Sequence, residues 1–141
     1  MAKQDFSMVY PLRVRWAEVD IQGIVFNANY LMYLDVGVTE YWRAMTGGNP
    51  SAVRDFIENM YVVRSTLDFH GSAKYDDMLD VCARAQKLGN SSMGFLFEIY
   101  RGDELLITGH ITYVYALEGK AKPIPPEFRS LFIGFEKIKP E

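Results

Sequence analysis

A two-layer α+β fold, with one long buried helix laid against one antiparallel sheet, is what this sequence predicts. Three observations carry that expectation. Residues 28–45 are apolar almost all the way round, with Tyr30, Leu31, Met32, Tyr33, Leu34, Val36, Val38, Tyr41, Trp42 and Met45, so a helix there must be covered by other elements. Much of the remainder alternates apolar and polar residues in strand-length stretches. Gly, Asn and Asp turns join those stretches, which is the pattern of an antiparallel meander. At 141 residues, 49% of them hydrophobic, the chain reads as a single domain over 1–141 whose core needs no disulfide or metal staple.

The elements follow in order. Residues 8–15 form a strand through Val9, Leu12 and Val14, and Pro11 confines it to a sheet edge because proline cannot donate to a ladder. The long helix follows at 28–45. Gly37 in its interior costs about 1 kcal/mol against alanine, which makes sense where a sheet backbone approaches closely. Asp35 with Thr39, and Glu40 with Arg43, share one narrow polar stripe. Thr46-Gly47-Gly48-Asn49-Pro50 ends the helix with a left-handed cap and a proline stop, and residues 51–59 make a second, short helix.

Further strands are expected at 61–69, 78–87, 93–101 and 105–116, with a turn at Arg101-Gly102-Asp103-Glu104. In the stretch 78–87, Leu79, Val81, Ala83 and Ala85 form an apolar face opposite a charged one. Residues 123–131 close the fold with a short helix begun by proline. Phe97, Tyr113 and Tyr115 point to apolar surface on both faces of the sheet, and one helix covers only one face. The outer face and the edges are therefore expected to pair with another subunit.

A formal net charge of −3 gives no electrostatic reason to expect nucleic acid or an anionic membrane as partner. Cys82 stands alone, which excludes an intrachain disulfide and fits a reducing compartment; mid-strand, it reads as a small buried hydrophobe. The first residues lack the apolar run of a signal peptide, and no run of about 18 apolar residues could span a bilayer. The expectation is a soluble, cytoplasmic protein. Asn90-Ser91-Ser92 then matches a glycosylation sequon only by chance. His70 and His110 have no neighbours at metal-ligand spacing, and no Gly-x-Ser-x-Gly elbow is present.

The chemistry is concentrated between Arg15 and Tyr30. There Asp20 precedes a glycine turn, and a helix starts near Asn27. An Asp before a helix commonly caps it, and an Asn at the start can do the same. A helix N-terminus also presents free N–H groups and the positive end of the dipole, which can hold a substrate carbonyl while a carboxylate acts beside it. Glu18, two residues back on an extended segment, should point the same way as Asp20.

Arg15-Trp16-x-Glu18-x-Asp20-x-x-Gly23-Ile24-Val25, then Asn29-Tyr30-x-x-Tyr33-Leu34-Asp35, resembles the hotdog-fold thioesterases of the 4-hydroxybenzoyl-CoA thioesterase type. Ser72-Ala73-Lys74-Tyr75-Asp76-Asp77-Met78-Leu79 resembles that family's turn into its second long strand. The likeness runs in the same order over most of the chain. It implies a hotdog fold, a five-stranded antiparallel sheet wrapped around one long central helix. It also implies an acyl-CoA thioesterase that needs no cofactor and no metal, CoA being part of the substrate. Its partner in assembly would be a second copy, with active sites at the boundary of a homodimer, paired again into a homotetramer.

By match to the motif, Asp20 is the catalytic carboxylate, as nucleophile or general base, and the backbone N–H of Asn27 polarises the thioester carbonyl. The chemistry suits these roles, because thioester hydrolysis builds negative charge on that oxygen and a fixed N–H donor is worth about 3 kcal/mol at the transition state. Trp16, Gly23, Phe26, Tyr30, Lys87, Ser91 and Ser92 are the substrate-binding candidates. The chain departs from the pattern in two places. Members of the Tol–Pal-associated branch carry a histidine where this chain has Asn27, and a tyrosine at Trp16; asparagine cannot shuttle a proton. The turn before the third long strand offers Gly89, Asn90 and Ser91 where relatives have basic residues, with Lys87 nearby and Ser92 matching the family's serine, so phosphate recognition is weaker than in those relatives or comes from elsewhere, such as Arg64 or Lys74. An acyl-ACP thioesterase, a 3-hydroxyacyl thioester dehydratase and a non-catalytic acyl-CoA-binding module are the alternatives.

Overall fold

Helix α1 (Asn29–Met45) buries Tyr30, Tyr33, Leu34, Gly37, Val38, Tyr41, Trp42 and Met45. That spacing of three and four gathers them on one stripe. A computed structural model describes residues 2–141 and sets this stripe on the concave face of a sheet. After α1 come α2 (Pro50–Asn59), β2 (Met60–Phe69), β3 (Met78–Leu88), β4 (Ser92–Arg101), β5 (Glu104–Leu117), β6 (Lys120–Ala121) and α3 (Pro126–Phe135), while β1 (Met8–Arg13) precedes it. Short 3₁₀ turns occupy Lys3–Asp5 and Trp16–Glu18. The strands pair antiparallel in the order β1-β3-β4-β5-β2, with β6 folded back on the end of β5. This is the hotdog arrangement, with β6 as a two-residue addition to the five expected strands.

Helix and sheet approach closely at Gly37, where an added Cβ would lie 2.7 Å from Val81 Cγ1. The glycine expected to admit the sheet does so. Around it, Val81, Ala83, Ala85, Phe97, Ile99 and Ile107 are fully buried. The C-terminal half of α1 is sealed by aromatic rings: Trp42 stacks on Phe56 of α2 at 4.7 Å, and Tyr41 meets Phe95 edge-on at 5.0 Å. Helix α2 starts one residue earlier than expected because the Asn49 side chain accepts from the amides of Ser51 and Ala52. Helix α3 starts later, at Pro126, and runs on to Phe135 to bury Phe132.

Several expectations need correction. Phe97, Tyr113 and Tyr115 all belong to the one core under α1, so they do not mark a second apolar face. The convex face carries a small separate cluster of Phe6, Cys82, Leu96 and Tyr100, with Glu98 buried beside it and accepting from the Tyr100 hydroxyl at 2.9 Å. The outward face of β3 is thus covered rather than an open charged surface, because the N-terminal segment folds over it. Strand β1 stops at Arg13, since the Arg15 amide turns to the Glu18 carboxylate at 2.8 Å and starts a 3₁₀ turn. Pro11 sits, as expected, in an edge strand.

The other edge, β2, is open along its whole length. It pairs only with β5, and Tyr61, Val62, Val63 and Phe69 are all more than half exposed. Its alternation therefore does not become a buried face. Helix α1 is likewise not wrapped all round: Leu31 and Met32 are 41% and 38% exposed.

Residue 136 closes the opposite corner. Strand β1 begins opposite Ala83, and beyond that point the Glu136 carboxylate accepts from the Ala85 amide at 2.7 Å and from Tyr41 Oη at 2.6 Å. Glu141 then pairs with Gln86 and Leu88. Burial pushes the Glu136 carboxyl above its ordinary range, with the Tyr41 and Ala85 hydrogen bonds opposing the rise. A raised folded-state pKa contributes stability below the unfolded value that is lost as pH climbs through the folded one. Glu136→Gln should flatten that loss: the difference between its melting temperature and the parent's should shift in the variant's favour from about pH 4 to about pH 8. Gly37→Ala should cost about 1–3 kcal/mol in urea unfolding, because overpacking against Val81 outweighs alanine's better helix propensity.

Candidate active site

Residues 19–25 form a miniature hairpin. Val19 and Val25 make an isolated bridge, and the Asp20 amide donates to the Ile24 carbonyl at 2.9 Å. The turn Asp20-Ile21-Gln22-Gly23 closes through Gly23 N–H to the Asp20 carbonyl at 2.9 Å, with Gly23 at φ +78°. Asp20 Oδ1 accepts from the Gln22 amide at 2.8 Å, the Asx turn that a short acid at this position favours. One carboxylate oxygen thus shapes the turn. The other meets no donor among the described residues, and the side chain is half-buried.

The hairpin leads directly into α1. The Asn29 and Tyr30 amides donate to the carbonyls of Phe26 and Asn27. The amides of Asn27 and Ala28 find no acceptor among the described residues. They form the positive end of the helix and are its orphan donors. Among the described residues no side chain caps the helix, whose N-cap is Ala28. Neither Asp20 nor the Asn27 side chain performs the capping that an Asp or Asn near a helix start commonly does.

Glu18 does not point with Asp20. The 3₁₀ turn folds it inward to 5% exposure. There its carboxylate pairs with the Arg15 guanidinium at 2.6 Å and accepts from Tyr33 Oη at 2.9 Å. Burial alone would raise its pKa, but the hydrogen bonds from Arg15 and Tyr33 bring it below the ordinary value. Burial and the Glu18 carboxylate hold the Tyr33 hydroxyl well above its own. The side chain expected to point the same way as Asp20 is an ionised, fully engaged structural group.

Of the other candidates, Tyr30 is buried beside the turn, its Oη accepting from the Ala73 amide at 3.0 Å, with Phe69 edge-on at 5.7 Å. Phe26 is half-exposed, and Trp16 lies open against Tyr75 at 5.3 Å. Gly23 faces open space. Lys87, Ser91 and Ser92 stand elsewhere. Arg13 and Met78 pair at the end of the sheet nearest the hairpin, and Lys87 lies nine residues further along β3, about 30 Å at roughly 3.3 Å per residue. Lys74, by contrast, bridges to Ile24 beside the turn. Sequence reasoning assigned Asp35 only to a polar stripe with Thr39. The Thr39 hydroxyl bonds the Asp35 carbonyl instead, and Asp35 lines a cleft of about 180 Å³ with Leu31, Val62, Ser65, Ile111 and Tyr113. An acid among the apolar residues of the first two turns of the helix was the available signal.

A sequence model of the thioesterase superfamily matches residues 22–113. The chain belongs to that superfamily. The matched span opens at Gln22, so the case for Asp20 rests on the geometry of its turn. The acyl-CoA thioesterase YbgC of Haemophilus influenzae is 25% identical over 130 residues, 91% of this chain and 96% of its own. A putative esterase of Aquifex aeolicus is 25% identical over 84% of this chain and 92% of its own. In fold, the chain is similar to a thioesterase from Thermus thermophilus solved with coenzyme A and zinc, at TM-score 0.86 and 22% identity, covering 96% of this chain and 98% of the other. A 1,4-dihydroxy-2-naphthoyl-CoA thioesterase from Synechocystis superposes at TM-score 0.74 and 19% identity, over 88% and 93%. Among the described residues no three His, Cys, Asp or Glu side chains gather as metal ligands.

Because Gly23 has a left-handed backbone but open space around it, substitution there isolates conformational strain. Gly23→Ala should cost about 1–2 kcal/mol in chemical denaturation, and Gly23→Asn less, since asparagine tolerates this region.

Proposed function

We propose that this protein hydrolyses an acyl- or aroyl-CoA thioester to the free acid and CoA, with no metal or prosthetic group. The observation that carries this reading is a carboxylate oxygen on Asp20, in the turn of the 19–25 hairpin, and two amides, Asn27 and Ala28, between that hairpin and α1, none of them engaged among the described residues. The amides hold the thioester carbonyl and stabilise the oxyanion as it forms. Asp20 attacks the carbonyl carbon, the C–S bond breaks to release the CoA thiolate and water hydrolyses the resulting anhydride; or Asp20 takes the proton from a water that attacks instead, and the C–S bond breaks directly to give the acid and CoA. The curated relatives named for acyl-CoA thioester hydrolysis support the reaction class. A dehydratase would require a histidine here, and His70 instead turns its ring to Thr108 at 3.0 Å.

A homodimer through the open β2 edge, itself paired into a tetramer, completes the proposal. Strand β2 runs from Met60 to Phe69. Phe69 packs on Tyr30 at the helix start, while Tyr61 is in register with Val114 and hence Ser92. Antiparallel pairing of two such edges about a two-fold sets the Ser92 end of one subunit against the Tyr30 end of the other. Lys87, Ser91 and Ser92 then serve the partner's site, which is why one chain holds them far from its own Asp20.

Thiol release across a panel of aliphatic and aromatic CoA esters tests the reaction. The parent should turn over at least one of them, and Asp20→Asn should lower kcat on the order of 10³-fold. An Asn oxygen still accepts from the Gln22 amide, so the circular dichroism spectrum and unfolding midpoint should stay unchanged. Full turnover by a folded Asp20→Asn variant would end the proposed mechanism.

A further inference from the structure

We propose that Glu18 is a positioning residue for the thioester site, holding Asp20 and the Asn27 amide in one fixed relation through its side chain and its own carbonyl. This rests on the reading above and assigns Glu18 no part in proton transfer. Its carboxylate has no capacity to spare. Oε1 accepts from the Arg15 amide at 2.8 Å and Tyr33 Oη at 2.9 Å, while Oε2 accepts from Arg15 Nε at 2.8 Å and pairs with its second guanidinium nitrogen at 2.6 Å. A carboxylate offers about four acceptor sites, and all are engaged away from Asp20.

The carbonyl of the same residue does the complementary work. It accepts from the Phe26 amide at 3.0 Å and from Asn29 Nδ2 at 2.9 Å. Those two anchors bracket Asn27, one residue before it and two after. Asp20 lies two residues beyond Glu18 and is locked across the hairpin by its amide bond to Ile24. Tyr33 ties the whole node to the second turn of α1, in the body of the helix. Carboxylate and oxyanion donors thus sit on short arms from a single buried residue. A displacement of about 1 Å between such groups costs on the order of 10²-fold in rate.

The role predicts a particular kinetic pattern, measured as thiol release per folded protein with folded fractions taken from circular dichroism. Tyr33→Phe keeps the ring and removes one bond to the carboxylate; Asn29→Ala keeps Glu18 and removes one bond to its carbonyl. Each should lower kcat by about 10-fold with KM within about twofold, the signature of weaker transition-state stabilisation with ground-state binding intact. Glu18→Gln retains the acceptor for Tyr33 and the Arg15 amide but loses both bonds from the Arg15 guanidinium, so it should fall by about 10-fold, far less than Asp20→Asn, with an unaltered pH profile. Glu18→Ala should fall on the order of 10²-fold if it folds.

Parent-like kcat in both Tyr33→Phe and Asn29→Ala overturns the proposal, whatever Glu18→Ala does. Glu18→Gln as inactive as Asp20→Asn also overturns it, by making Glu18 the reacting carboxylate. A parent inert on every ester refutes the thioesterase reading itself, an outcome distinct from an active parent indifferent to these substitutions.

Discussion

The packing of α1 on the concave sheet is the constraint on which the rest depends. At Gly37 the helix lies so near β3 that a single methyl group would collide with Val81. That distance seats Tyr33 and Leu34 on one side of the close approach and Tyr41 and Trp42 on the other, all nearly fully buried. Interiors packed at this density move little, so the first turn of α1 stands at a defined height above the sheet. The unengaged amides of Asn27 and Ala28 inherit that position.

A helix start fixed in space is useful only if the carboxylate is fixed relative to it. The hairpin of residues 19–25 provides this with few residues and much hydrogen bonding. Its turn is closed by Asp20's own backbone and side chain, its arms by the Val19–Val25 bridge, and its base by residue 18. The two acids only two residues apart have opposite fates for a local reason. Glu18 is drawn into a 3₁₀ turn by Arg15, whereas Asp20 belongs to a β-turn that leaves one of its oxygens without a donor among the described residues. A rigid scaffold with one free acid and two free amides is the division of labour expected of preorganised electrostatic catalysis.

The open side of the molecule carries the complementary message. A ten-residue edge strand with Tyr61, Val62, Val63 and Phe69 half-exposed is a pairing surface that stable monomers usually blunt. The cleft that includes Asp35 borders that same strand. The cleft and the edge proposed for assembly are therefore adjoining surfaces.

Periodicity determined the long helix and the four long strands after it, because spacings of three to four and of two report which side chains share a face, and Gly47-Gly48 before Pro50 marked the left-handed cap. The turn after Asp20 was legible in a short acceptor followed by a left-handed glycine, while the role proposed for Asp20 came only with the resemblance of the whole motif. Burial of Glu18 was not legible, since it depends on where Tyr33 and Arg15 lie once the chain has folded. Nor was the separation of Lys87, Ser91 and Ser92 from Asp20, because strand direction sets it and composition does not. Exposure of β2 was hidden as well, because an edge strand and a central one can carry the same alternation. Each of these belongs to the tertiary structure, which alone decides what stands on the far side of a residue.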